Sequence, residues 1–61
     1  MTYLVRKERL DYTVVDRFHA KDMASAERKA KQWFPEVKLT QDKHFRYGQA
    51  GEFLVTILSQ A

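Results

Sequence analysis

Asp22-Met23-Ala24-Ser25-Ala26-Glu27-Arg28-Lys29-Ala30-Lys31-Gln32-Trp33-Phe34-Pro35 is the stretch on which the fold turns. Met23, Ala26, Ala30, Trp33 and Phe34 recur at spacings of three, four, three and one, which is a single helical stripe. Asp22 can accept hydrogen bonds from the first free amides of a helix. Ala24, Ala26 and Ala30 favour helix, and Glu27 and Lys31 stand four apart in the favourable order. Pro35 stops the helix, because a residue before proline avoids helical dihedrals. The pattern predicts a helix over 22–34, with small alanines on the inner stripe that let its axis lie close to a sheet.

On the N-terminal side, residues 2–20 read as β structure. Tyr3, Leu4 and Val5 begin it, and Tyr12, Thr13, Val14, Val15 and Phe18 form a second β-rich stretch. The charged segment Arg6 to Asp11 between them predicts a hairpin that turns near Glu8 to Asp11. It contains no Gly or Asn to take positive φ, so a loop longer than two residues is expected. Asp16 interrupts the alternation of 12–20, which calls for a bulge or an early strand end.

On the C-terminal side the period is two. Val37, Leu39, Phe45 and Tyr47 share one parity, and Lys38, Thr40, Asp42, His44 and Arg46 the other. Gln41-Asp42-Lys43 reads as a kink or a loop, so 37–47 is one strand or two. Gly48-Gln49-Ala50-Gly51 reads as a four-residue hairpin connection. Phe53, Val55 and Ile57 then face one way along the last strand, with Leu54, Thr56 and Leu58 facing the other. The sum is one α+β domain over residues 1–61, in the order β-β-α-β-β. It holds an antiparallel sheet of about four strands with a single helix on one face. The second face is left wholly or partly open, and Leu54, Leu58, His44 and Arg46 are expected on it.

Composition narrows the chemistry. The chain has 61 residues, so burial on folding is marginal and a partner or self-association would add stability. It has no Cys, which removes disulfides, thiolate metal sites and cysteine nucleophiles. No apolar run is long enough to cross a bilayer, and the N-terminus turns charged too early for a secretory signal. A soluble cytoplasmic domain with no membrane partner is the expectation. His19 and His44 lack metal-ligand spacing, and Ser25 and Ser59 sit on no strained nucleophile turn. The eight carboxylates are interleaved with bases rather than paired in a cleft. No catalytic residue, cofactor or metal site is therefore assigned, and the chain is not read as an enzyme. The Gly48–Gly51 spacing matches the phosphate-clamping loop of KH domains, but that loop joins two helices and this one is flanked by strands.

Eleven Lys and Arg against eight Asp and Glu give a net charge of +3. Arg6, Lys7 and Arg9 cluster in the first hairpin, Arg28, Lys29 and Lys31 on the helix, and Arg46 near the second hairpin. With Leu54 and Leu58 as apolar contacts, these nine residues form the expected partner-binding set. Such a set has two readings: a protein or nucleoprotein complex held by apolar contact and charge, or nucleic acid held by phosphate contacts with stacking on Tyr3, Tyr12, Tyr47 or Trp33. A homodimer is a further reading.

The segment His19-Ala20-Lys21-Asp22-Met23-Ala24-Ser25-Ala26-Glu27-Arg28-Lys29-Ala30 resembles the strand-to-helix passage of very small phage-encoded inhibitors of the anti-CRISPR and host-takeover type. The resemblance covers about a fifth of the chain. It implies a non-enzymatic, stoichiometric binder, acting in the host cytoplasm, that blocks a host protein or protein–nucleic-acid complex by occupying it. Many such inhibitors are acidic DNA mimics, and the basic balance here departs from that pattern.

Overall fold

A computed structural model describes residues 2–60. Its elements are β1 (Thr2–Arg9), β2 (Val14–Ala20), α1 (Met23–Trp33), β3 (Thr40–Gln41), β4 (Phe45–Ala50) and β5 (Phe53–Gln60). The fold is α+β, with one helix and one antiparallel sheet of five strands in the order β2-β1-β5-β4-β3. The expected four strands become five because residues 37–47 divide. Thr40 and Gln41 form a short edge strand on β4, and the turn that follows separates them from Phe45.

The helix forms for the reasons read in its sequence. The Asp22 carboxylate accepts from the Ser25 amide at 2.7 Å, and Phe34 ends the helix in extended geometry with its N–H donating to the Ala30 carbonyl. The Val37 amide then donates to the Phe34 carbonyl at 3.0 Å, a turn with Pro35 at its second position, where fixed φ is favourable. Ala26 and Ala30 are fully buried against the sheet, and Val5, Val55, Ile57, Ala20 and Val37 complete the core. Removing such apolar surface from water supplies about 25 cal/mol per Å².

The first hairpin turns through Leu10, Asp11 and Tyr12. The Tyr12 N–H donates to the Arg9 carbonyl at 2.8 Å, and the Arg9 N–H to the Thr13 carbonyl at 2.9 Å. Such three-residue loops need a left-handed residue in third place. Tyr12 takes it, at φ 70°, in the absence of Gly or Asn. The strands it joins shift register between Lys7 and Glu8, which is the bulge anticipated from Asp16.

The second hairpin is tighter than expected. Ala50 pairs with Phe53, so only Gly51 and Glu52 make the turn, with Gly51 at φ 62°. Gly48 is not part of it. It lies within β4, beneath the segment that follows the helix, where a Cβ would meet the Lys38 carbonyl oxygen at 2.6 Å and Val37 Cγ2 at 2.8 Å. The helix therefore covers β1, β2 and β5, and residues around Val37 cover β4.

Candidate binding surface

Strand register divides the side chains between two faces. Tyr3, Val5 and Lys7 point to the helix side, opposite Ser59, Ile57 and Val55 of β5. Phe18 and Ala20 of β2 and Arg46 and Gly48 of β4 share that side. The other face carries three ladders of directly opposed residues. The first runs His19–Leu4–Leu58–Phe45, and Asp42 extends it, since its amide donates to the Phe45 carbonyl at 2.7 Å. The second runs Arg17–Arg6–Thr56–Tyr47–Thr40, and the third Val14–Glu8–Leu54–Gln49. Directly opposed residues stand about 5 Å apart at Cβ and interact as a unit.

No helix covers this second face. Leu4, Leu54, Leu58 and Phe45 on it are half-buried, and Tyr47 is 40% exposed. The Phe45 and Tyr47 rings lie with centroids 5.5 Å apart. Tyr12, 74% exposed, completes a cleft of 350 Å³ with Asp42, Phe45, Tyr47, Leu54 and Thr56. In the third ladder sits Glu8, the one buried charged residue among those described, only 6% exposed. Its carboxylate accepts from the Thr56 hydroxyl at 3.0 Å, and Arg6 Nε lies 3.8 Å away, an ion pair too long to be a hydrogen bond. Arg6 Nε is buried and has no acceptor among the described residues. Arg17 stands directly opposite Arg6, so two guanidinium-bearing side chains share one rung.

The nine residues of the expected partner-binding set do not form one patch. Arg6, Leu54 and Leu58 are on the uncovered face. Lys7, Lys29 and Arg46 are on the helix side and already have partners. Lys7 Nζ and Lys29 Nζ each lie 5.3 Å from the Trp33 ring centroid, and Lys29 also lies over Phe18 at 5.1 Å. Arg46 pairs with Glu27 of the helix and donates through Nε to Gln41 Oε1 at 2.6 Å. The expectation that Arg46 and His44 join Leu54 and Leu58 is thus corrected. Arg46 opposes Ile57 on the helix side, and His44, in the turn before β4, lines a helix-side cleft with Tyr3 and Met23. Arg9 is at the end of β1, and Arg28 and Lys31 are on the exposed surface of α1.

Leu4, Glu8, Phe45 and Thr56 belong to the face although the sequence reading did not single them out as site residues, and Tyr47, read there as a base-stacking side chain, lies on it too. Alternation within Thr2–Arg9 carries part of the signal, since Leu4, Arg6 and Glu8 share a parity. The missing information is that the first strand lies beside the last.

Two surface aspartates titrate below the ordinary range. Hydrogen bonds from the Ser25 backbone and hydroxyl, with Lys21 and Arg28 nearby, favour the ionised form of Asp22. Hydrogen bonds from Thr13 and the charge of Arg9 do the same for Asp11. Both groups serve turns and caps. Among the described residues no three His, Asp or Glu converge as a metal site, and no helix is long and apolar enough to cross a membrane. No family model, curated protein or solved structure matches this chain.

Proposed function

We propose that this chain is a non-enzymatic interaction module whose binding surface is the uncovered sheet face. The observation that supports it most directly is the combination on one face of half-buried Leu4, Leu54, Leu58 and Phe45 with exposed Tyr47. Aromatic and aliphatic anchors of this kind dominate protein interfaces. The sheet edges are poorer candidates. β2 carries a register shift and the Asp16-Arg17 pair, and β3 is two residues long, both of which discourage strand addition. The reading extends to a stoichiometric inhibitor of a host protein or nucleoprotein complex, as the sequence resemblance implies.

A second reading has one observation in its favour. Arg6 and Arg17 share the face with the Phe45 and Tyr47 rings, a combination that could hold single-stranded nucleic acid by phosphate contact and base stacking. One experiment separates the two. The chain is immobilised and exposed to a bacterial lysate, and captured proteins and nucleic acids are both identified, for the native sequence and for Leu54→Asp. Protein capture lost in the variant supports the module. Capture of nucleic acid alone, falling steeply with salt, replaces it with the second reading.

A further inference from the structure

We propose that the uncovered face is closed by a second copy of this chain, giving a two-fold sandwich of two five-stranded sheets with both helices outside. This rests on the reading of that face as the binding surface, and names its occupant. Two stacked antiparallel sheets keep their strands roughly aligned. A dimer axis between them, through β5, then runs along the strands or across them. The three ladders distinguish these cases.

With the axis along the strands, each ladder is reversed onto itself. Leu58 meets Leu58 of the second copy, Thr56 meets Thr56 and Leu54 meets Leu54. Leu4 falls over Phe45, Arg6 over Tyr47, Arg17 over Thr40, Glu8 over Gln49 and His19 over Asp42, and Val14 alone has no counterpart. These pairs are chemically matched: apolar on apolar, cation on aromatic ring, guanidinium on hydroxyl, carboxylate on amide, imidazole on carboxylate. With the axis across the strands, through the second and middle ladder, the first ladder lies over the third. Leu4 then covers Glu8, Phe45 covers Gln49, and Arg6 and Arg17 each stack on their own copies, burying like charges. The order of side chains across the face therefore favours the first axis over one across the middle of the strands. It also supplies what the protomer lacks, a π-face over Arg6 and a further hydrogen-bonding group for Glu8. The footprint, five strands wide, is about 500 Å² in projection, below the ~800 Å² per partner of a standard interface. Self-association is accordingly expected to be concentration-dependent.

Every contact off the axis occurs twice, so exchanging one pair is a sensitive test. His19→Asp sets carboxylates opposite each other at both copies of the His19–Asp42 contact, and sedimentation equilibrium should show dimerisation weakened about tenfold or more. The double variant H19D/D42H restores the pair with its ends exchanged and should regain most of the loss. Both positions are exposed, but Asp42 also accepts from the Lys43 amide at 2.6 Å, so circular dichroism and thermal unfolding establish that the double variant keeps the native fold before its dimerisation is read. The native chain should move from 7.2 kDa toward twice that mass as concentration rises. A strict monomer at millimolar concentration overturns the proposal, as does a dimer that the double variant fails to restore. A monomer whose lysate capture is still abolished by Leu54→Asp overturns the dimer and leaves the binding module standing. A monomer with capture indifferent to Leu54 overturns both.

Discussion

Gly48 lies under the backbone of Lys38, so close that a Cβ at position 48 would come within 2.6 Å of the Lys38 carbonyl oxygen. The contact is with main chain, which cannot swing aside as a flexible side chain does. Gly48→Ala must push residues 37–39 off the sheet and separate Val37 from the core. A loss of about 1–3 kcal/mol is expected, as for other overpacked sites, and urea unfolding measures it. Gly51→Ala meets no atom within 4 Å but is strained by its positive φ, so its cost has a different origin.

Tyr12 occupies left-handed backbone with its ring largely in solvent. A tyrosine gains nothing from that conformation, whereas asparagine tolerates it. Tyr12→Asn should raise stability by up to about 1 kcal/mol, or about 5 °C in a domain of this size. If the ring also serves the cleft beside Tyr47, the same variant binds its partner less well while melting later. Thermal unfolding and binding are measured on one sample.

Acid should weaken the fold through Asp11 and Asp22. Their carboxyls titrate lower in the folded chain than in the unfolded one, so the unfolded state takes up protons first as pH falls. The stabilisation is present in full above about pH 4, the ordinary aspartate value, and is lost as pH falls through the lower folded values. Asp22→Asn keeps an acceptor for the Ser25 amide and removes the titration. Its melting temperature should depend less steeply on pH below 4 than that of the native chain.

Lys7 and Lys29 flank Trp33 and, unlike Arg28, have ring partners. Lys7→Gln or Lys29→Gln should each cost up to about 1 kcal/mol of stability, with a change in Trp33 fluorescence. Arg28→Gln, on the exposed side of the helix, should do neither.

Glu8 is buried on the uncovered face and accepts from the Thr56 hydroxyl. Glu8→Ala strands that hydroxyl and the Arg6 guanidinium, and about 1–3 kcal/mol should be lost. Glu8→Gln retains an acceptor and should lose less. Equality of the two variants in chemical denaturation would mean that the carboxylate contributes only through its charge, which both variants remove.

The helix was legible because its signals are local. Asp22, the alanine stripe and Pro35 act within a few residues of one another, and the caps fall where those residues put them. Residues 37–47 were not legible by parity, because Val37 and Leu39 pack on the core from a crossing segment while Phe45 points to the opposite face. Gly48 has the same origin. Glycine ordinarily marks a turn, and nothing local distinguishes a turn from a place where distant backbone passes overhead. The exposed face was legible in part. Leu54 and Leu58 stood out as surplus apolar residues on the last strand. The two ladders that join Leu58 to Leu4 and Phe45, and Leu54 to Glu8, depend on β1 lying beside β5, which no short-range pattern encodes.

The adjacency of Thr2–Arg9 and Phe53–Gln60 at the middle of the sheet also bears on how the chain reaches its native state. The central ladder closes a loop of more than forty residues, and its ordering entropy must be lost before those hydrogen bonds form. The first hairpin and the helix can form early, but neither can seal the interior while β5 is absent. A ribosome must therefore release β5 before the nascent protein can pack, and until then β1 remains an unpaired edge.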